Sequence, residues 1–375
     1  MPIFTLLLLI TLMGWSAHGW ADSRHLQLAD VVNALANQPT GQPPVWAPLP
    51  KGDEVFGPGV LTYTIRGDET LLQVGRSFDL GYNSISLANP KVDPWLPPPG
   101  TLIRVPLLHV YPDGSDSRPE LVINRPEMRI FFRRKDGWIE TYPLGVGREG
   151  FDTPLTEAKV TRKMANPTWY VPESIRKENP NQPTIVPPGP DNPLGTHAIY
   201  LTLPTYLIHG TNRPFGVGRR VSRGCMRLYP EDIVRLYKRV EPGLRVRIVD
   251  QPAKAGWRGN QLFLEVHPTL KRKDRGQLPG KASEAIFNAM QRRHGQVQVD
   301  SALVEKMTRS PDGIPRVIGY VTQDGTPYAP YQADYKPVTA PSPTATGSKA
   351  KPAKPAQPAK QTQKSKPARS ATSGR

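Results

Sequence analysis

Cysteine is all but missing from this chain: Cys225 is the only one in 375 residues. One thiol cannot close an intramolecular disulfide, so no disulfide framework holds the fold. Long apolar runs are scarce too. The one at residues 3–13 falls short of the roughly 20 residues that a membrane-spanning helix needs. No Lys or Arg precedes that run, and no cysteine stands behind it to carry a lipid. Acidic residues are absent from residues 336–375, where nine Lys or Arg and seven Pro are found instead. Such a composition excludes a packed core there. The seven histidines show no ligand-like spacing and the lone cysteine adds no partner, so no metal site is expected. A phosphate-cradling glycine loop is also missing, and no cofactor is expected.

What is present begins with the ends of the chain. The apolar run is followed by Ser16-Ala17-His18-Gly19-Trp20-Ala21, small residues of the kind that close a signal peptide. Residues 1–21 are therefore read as a signal peptide, with an uncleaved anchor as the alternative. Either reading puts the body outside the cytoplasm, in the periplasm. The basic tail carries nine of the net charge of +17, leaving +8 for the rest. Outside the cytoplasm its accessible partners are anionic polymers and membrane surfaces, not nucleic acid. A solvated spacer without a partner is the competing reading. Between the ends, residues 22–60 read as a linker, 61–107 and 118–250 as two domains, and 251–335 as a C-terminal extension of unassigned role.

The first domain is small. Tyr63-Thr64-Ile65 alternates as a strand, and Thr70 is placed to cap a helix carrying Leu71, Val74 and Phe78. A second short helix ends at Asn89-Pro90, and Pro99-Gly100 turns into a last strand, Leu102-Ile103-Arg104-Val105. This βααβ unit resembles a LysM domain. The resemblance implies binding of N-acetylglucosamine-containing glycans such as peptidoglycan. The implied groove lies between the loops that hold Asp68, Thr70, Asn89 and Pro90. A structural appendage without a ligand is the alternative.

The second domain reads mostly as strands, with a hairpin at Arg125-Pro126-Glu127 and one helix after the cysteine. Pro230, Glu231 and Asp232 suit that helix's first turn, and Gly243 its stop. In such a domain Cys225 is either a small buried hydrophobe or a nucleophile. Its neighbours favour the second. His209 ends a short apolar run 16 residues upstream and is the candidate base. Residues 211–221, rich in Gly and Arg, are expected to form an exposed excursion between the two. Arg223 and Arg227 flank the thiol and would favour its ionised form. Gly224 permits close backbone approach, so the amides around it are candidates to hold an oxyanion.

Ile208-His209-Gly210-Thr211 followed by Ser222-Arg223-Gly224-Cys225-Met226-Arg227 closely resembles the signature of L,D-transpeptidases of the YkuD fold, ErfK/YbiS branch. Asp152-Thr153-Pro154, Asn166-Pro167-Thr168-Trp169 and the stretch Pro187-Pro188-Gly189-Pro190-Asp191-Asn192-Pro193-Leu194-Gly195 agree with it. The resemblance implies a mainly β catalytic domain, a YkuD-like β-sandwich. It departs at one place: Arg223 stands where the family carries a second histidine.

The implied reaction is acyl transfer on peptidoglycan. Cys225 attacks the carbonyl of meso-diaminopimelate in a tetrapeptide stem, His209 shuttles the proton, and D-alanine leaves. Gly224 holds the oxyanion through its backbone, while Ser222 and Arg223 complete the catalytic motif. Arg227 is a candidate for gripping a substrate carboxylate, or else a structural ion pair with Asp232. Gly210, Tyr206 and Trp169 are candidates to line the peptide groove. The motif leaves the acceptor open among a diaminopimelate amine, the lysine of an outer-membrane lipoprotein, and water. Water would make the enzyme an L,D-carboxypeptidase or other hydrolase. A non-catalytic wall-binding protein is the alternative from a different class.

Overall fold

The structure, a computed structural model, describes residues 45–46, 52–114, 118–293 and 295–322. Residues 1–21, expected to be a signal peptide, most of the 22–60 segment and the basic tail lie outside the described residues. No described helix is long and apolar enough to cross a membrane.

The strand–helix–helix–strand order expected near the N-terminus is the order found. Val60–Thr64 pairs antiparallel with Leu102–Pro106, and between them run helices α1 (Leu71–Ser77) and α2 (Tyr82–Ala88). Thr70 caps α1 reciprocally with Gln73: each side chain bonds the other's backbone amide, at 3.1 and 2.8 Å. The small core is Leu61, Ile65, Leu71, Val74, Leu80, Ile85, Ile103, Val105 and Leu107. The residues just before this unit are less of a linker than their composition suggests. Val55–Phe56 pairs with His109–Val110, and Val45–Trp46 pairs with Ile139–Pro143 at one edge of the main sheet.

The second domain is one nine-stranded sheet that curls on itself. Its order runs from Val45–Trp46 through Ile139–Pro143, Arg129–Arg133 and Glu120–Asn124 to Arg245–Val249. It continues through Thr156–Ala165, His197–Leu201 and Leu207–His209 to Met226–Arg227. The curl brings the far edge back to the near one: Gly145 and Arg227 exchange backbone hydrogen bonds of 2.8 and 2.9 Å. Within this domain lie α3 (Glu173–Glu178) and α4 (Pro230–Arg239). Helix α4 starts on the expected Pro230 with Glu231 and Asp232 in its first turn, and buries Ile233 and Leu236 in the main core. A one-residue difference appears at the 125–127 hairpin. Met128, expected to begin the strand, instead takes the left-handed turn position (φ 54°), and the strand begins at Arg129.

The C-terminal extension is a unit with its own core. Strands Ala253–Arg258, Gln261–Val266, Arg316–Thr322 and Gln296–Val299 form one sheet. Helices α5 (Leu278–Gln291) and α6 (Ser301–Arg309) pack on it around the fully buried Trp257.

These parts are held together through polar contacts. Arg76 of α1 makes a two-pronged bond to Glu231 of α4, both 2.7 Å. Arg235 of α4 reaches Asp79 at 3.2 Å, and the Tyr229 hydroxyl donates to Leu80 O at 3.2 Å. At the start of α2, the amides of Tyr82 and Asn83 donate to Val217 O and Gly218 O, both 3.2 Å. Gly218 (φ 77°) lies so close that a Cβ there would meet Tyr82 N at 2.2 Å. Residues 211–221 are therefore only in part the exposed excursion expected from their composition: Asn212, Arg213, Phe215 and Val221 are exposed, but the segment is anchored. Thr211 and Val217 are buried, and Arg220–Ser222 pairs in parallel with Val146–Gly147.

Candidate active site

His209 and Cys225 are brought together by strand pairing. Leu207–His209 runs parallel to Met226–Arg227, setting His209 opposite Arg227, two residues past the thiol. The Leu228 amide donates to His209 O at 2.9 Å and fixes that register. His209 is buried, and its Nδ1 lies 2.7 Å from Gly210 O. A carbonyl only accepts, so Nδ1 carries the hydrogen and Nε2 keeps the lone pair. Burial, aided by the nearby Arg227 charge, pushes the His209 pKa down to about 3, although the Gly210 and Leu194 carbonyls pull it partly back up. The imidazole is thus neutral at physiological pH, as a proton acceptor must be.

The turn that carries the thiol is built by Ser222. Its hydroxyl donates to Cys225 O at 2.5 Å and accepts the Gly224 amide at 3.1 Å, closing a tight loop over three residues. Gly224 has φ 107°, and a Cβ there would sit 2.5 Å from the Tyr206 ring. Both facts require glycine. Thr153, from the Asp-Thr-Pro run, braces the other side: its hydroxyl donates to Gly224 O at 2.7 Å and accepts the Gly147 amide at 3.2 Å. The Gly224 amide, expected to hold an oxyanion, is therefore already engaged in this state.

The thiol donates to Thr205 O at 3.5 Å, and Thr205 is itself held at φ 68°, a costly conformation for a β-branched residue. Burial raises the Cys225 pKa, and the Leu207 backbone and the Arg227 charge offset only part of that rise. Of the two flanking arginines expected to favour the ionised thiol, Arg227 does so, but too weakly to offset burial. Desolvation outweighs the one guanidinium that acts on it, and Arg223 is directed elsewhere.

Arg223 pairs with Glu178 at the end of α3 and stacks on Phe151, 4.7 Å from the ring centroid. Arg227 behaves differently. Asp232, one candidate partner, is taken by Arg235 instead. Among the described residues Arg227 makes no ion pair, and its Nε is buried with no hydrogen-bond partner. Burial lowers its pKa, the Cys225 charge raises it, and Arg213 lowers it further. A guanidinium in this state suits a carboxylate arriving from outside.

Residues 118–248 match the model of the YkuD L,D-transpeptidase catalytic domain. The chain is 33% identical over 303 residues to a probable L,D-transpeptidase of Escherichia coli, YcfS, covering 78% of this chain and 94% of that protein. Its identity to the probable L,D-transpeptidase YbiS of the same organism is 35%, over 72% of this chain and 90% of the relative. For ErfK/SrfK it is 36%, over 60% and 74%. The chain belongs to the L,D-transpeptidase family. It is an enzyme with a YkuD-type catalytic domain, and all the residues of the His209 and Cys225 motifs fall inside the matched segment.

The other expected site residues divide. Gly210 packs against Ile233 and Leu194 O, where a Cβ would clash. Tyr206 lies over Gly224. Trp169 is half-buried in a two-stranded hairpin with Val186, beside the exposed Tyr170 and Ile185. The base of that hairpin is pinned by the buried Asn192, whose Nδ2 donates to Pro167 O at 2.8 Å. In the N-terminal unit Asp68 and Pro90 are exposed, whereas the Thr70 side chain is spent on its cap. Asn89 turns inward: its amide group bonds Ile85 O, Arg104 O and Arg104 N, all at 2.8 Å. It cannot also face a glycan, because its hydrogen bonds stitch α2 to the last strand. Sequence reading missed Thr153, Thr205 and Glu178. Only Thr153 carried a signal, as part of a motif whose role was unassigned.

A buried charge cluster was also missed. His109, Glu127 and Glu265 offer ligand atoms within 4.8 Å of one another. Lys254 Nζ, however, sits 2.7 Å from Glu127 and 3.1 Å from Glu265. The lysine already supplies the positive charge that a metal ion would bring.

Proposed function

We propose that this enzyme is an exported peptidoglycan L,D-transpeptidase with Cys225 as nucleophile and His209 as general base. The observation that carries the reading is the pair itself: a lone thiol on a turn fixed by Ser222, and a buried neutral imidazole whose Nε2 retains its lone pair. Because the resting thiol is protonated, the reaction starts with transfer of the S–H proton to His209 Nε2 as sulfur attacks the meso-diaminopimelate carbonyl. The new C–S bond leaves a tetrahedral oxyanion. With the Gly224 amide engaged by Ser222, the Cys225 amide is the donor assigned to that oxygen. Collapse breaks the C–N bond, and the imidazolium returns its proton to the departing D-alanine amine. An amine acceptor then attacks the thioester, gives a proton to His209 and releases the thiol. Arg227 holds a substrate carboxylate, and Tyr206 and Trp169 line the peptide groove.

The N-terminal βααβ unit, residues 61–107, is assigned to glycan binding through its exposed loops, and the enzyme's place is the periplasm, where its substrate lies. Incubation of the full chain with tetrapeptide muropeptides, beside Cys225→Ala, tests the reading. A crosslinked dimer from wild type alone supports transpeptidation to a diaminopimelate amine. A trimmed tripeptide alone would instead make the protein a carboxypeptidase. Identical profiles from both proteins would remove catalysis altogether. Transfer to a lipoprotein lysine requires that protein in the assay.

A further inference from the structure

Arg223 stands two residues before the thiol, on the turn that Ser222 ties down. Its guanidinium is spread over the Phe151 ring, and so is that of Arg148, each 4.7 Å from the centroid. One carboxylate serves both: Glu178 pairs with Arg223 and lies 3.9 Å from Arg148. Asp152, next to Phe151, adds no negative charge here because Arg220 (2.7 Å) and Lys271 (3.4 Å) hold it. Arg223 Nη1 is buried and donates to nothing among the described residues. Two stacked guanidiniums therefore share a single acid, with one buried N–H left over. That acid is 56% exposed and comes from the end of a six-residue helix with no buried side chain.

An ion pair of this kind is worth little, since water and salt compete for the half-exposed carboxylate. It is weak enough to exchange. The Phe151 ring, meanwhile, holds both guanidiniums near one carboxylate: Glu178 Oε2 pairs with Arg223 and lies 3.9 Å from Arg148, so a single carboxylate can bridge the two.

We propose that Arg223 and Arg148, stacked on Phe151, form a carboxylate subsite for the acyl-donor stem, and that Glu178 occupies it until substrate displaces it. This rests on the proposed reaction. The carboxylate concerned is the free one at the far end of the diaminopimelate side chain, on the same residue as the scissile carbonyl. The enzyme accordingly selects stems in which that group is ionised over stems in which it is amidated. Arg223 is a specificity residue here, a task that a second histidine, neutral at most pH values, would perform poorly.

The test is calorimetric titration of full-length Cys225→Ala, which binds without turnover, using a tetrapeptide stem with this carboxylate free or amidated. The free stem should bind about tenfold more tightly. Adding Arg223→Gln should abolish the difference, and Arg148→Gln should reduce it. Adding Glu178→Gln should tighten the free stem several-fold, by removing the internal competitor, and leave the amidated stem unchanged. Equal affinity for both stems in Cys225→Ala, or no binding of either, overturns the inference. So does Glu178→Gln weakening both alike, which would make the pair a mere strut. Should Arg223→Gln melt early, the Glu178 and Arg148 variants decide. Wild-type turnover is scored separately: discrimination in binding without any transfer would sink the reaction and leave the subsite standing.

Discussion

Among the buried charges of this enzyme, a lysine and two arginines are treated differently. Where the second domain meets the extension, Lys254 is fully enclosed and fully matched. It touches Glu127, Glu265 and Val110 O at 2.7, 3.1 and 2.7 Å, with the Phe131 ring 4.6 Å away. Glu265 in turn accepts the Val110 amide at 2.7 Å and pairs with His267 at 2.6 Å. Burial would push the Glu127 carboxyl up, but Lys254 and the neighbouring histidines hold it well below the usual range. Around Cys225, by contrast, two arginines keep buried N–H groups that bond nothing among the described residues. An unpaired buried donor costs about 1–3 kcal/mol. That cost fits a site completed by substrate. In the Lys254 cluster the ammonium itself is fully matched, and the atoms left over, Glu127 Oε1 and His267 Nδ1, lie beside charges that are already paired.

The comparison breaks most visibly under two single substitutions. Cys225→Ala should abolish transfer, a loss of at least about four orders of magnitude in kcat, while the melting temperature stays within a few degrees. Lys254→Met should do the reverse. It strands two buried carboxylates, and breaking such a pair costs about 3–5 kcal/mol. Chemical denaturation should show that loss, with activity falling only as the folded fraction falls. A Lys254→Met protein of wild-type stability would show that the cluster is not what joins the parts.

Acid sharpens the same contrast at somewhat smaller cost. Burial drives the pKa of His109 down to about 4 and that of His209 to about 3, from about 6.5 in an unfolded chain. Both folded values lie below the unfolded one, so the unfolded state binds protons first as pH drops. Their stabilisation is complete above pH 6.5 and is lost below it by about 1.4 kcal/mol per pH unit for each histidine. Asp79 and Asp232, raised mainly by burial, work with the opposite sign. The informative quantity is therefore a difference: between pH 6.5 and 5, His109→Asn should lose stability less steeply than wild type by about 1 kcal/mol per unit. Parallel curves would mean that His109 is already charged in the fold. Because His209 stays neutral, transfer should persist to pH 5 for as long as the fold does.

What could be read from the sequence follows from how far apart the partners lie. The Cys225 motif was legible because Ser222 and Gly224 stand beside the thiol, and the Thr70 cap because it adjoins the apolar residues of its own helix. The Lys254 cluster was not: Lys254 lies 144 residues from Val110 and Val110 lies 155 from Glu265, and only the fold reveals that these charges meet. Glu178 and Arg223, 45 residues apart, belong to the same class. Asn89 misled for a different reason. A polar residue before proline looks like a surface loop, yet both ends of its side chain are consumed by backbone of the closing strand. The thiol's protonation was misjudged because flanking charge is visible in sequence and desolvation is not.

The smallest effect is the most discriminating. If Arg227 is left unpaired for substrate, then Arg227→Gln removes a buried charge that the free protein does not need. Stability should hold or rise by up to about 1 kcal/mol, because the lost interactions were few and a desolvation cost disappears. Transfer should suffer instead, with kcat/KM lower by about tenfold or somewhat more, as expected when a charge-assisted bond to a carboxylate is lost. Arg227→Lys should recover only part of that, since an ammonium cannot present the two parallel N–H groups. A stability loss comparable to that of Lys254→Met would mean that Arg227 supports the fold rather than the substrate. Arg227→Gln with unchanged kcat/KM would remove it from the site.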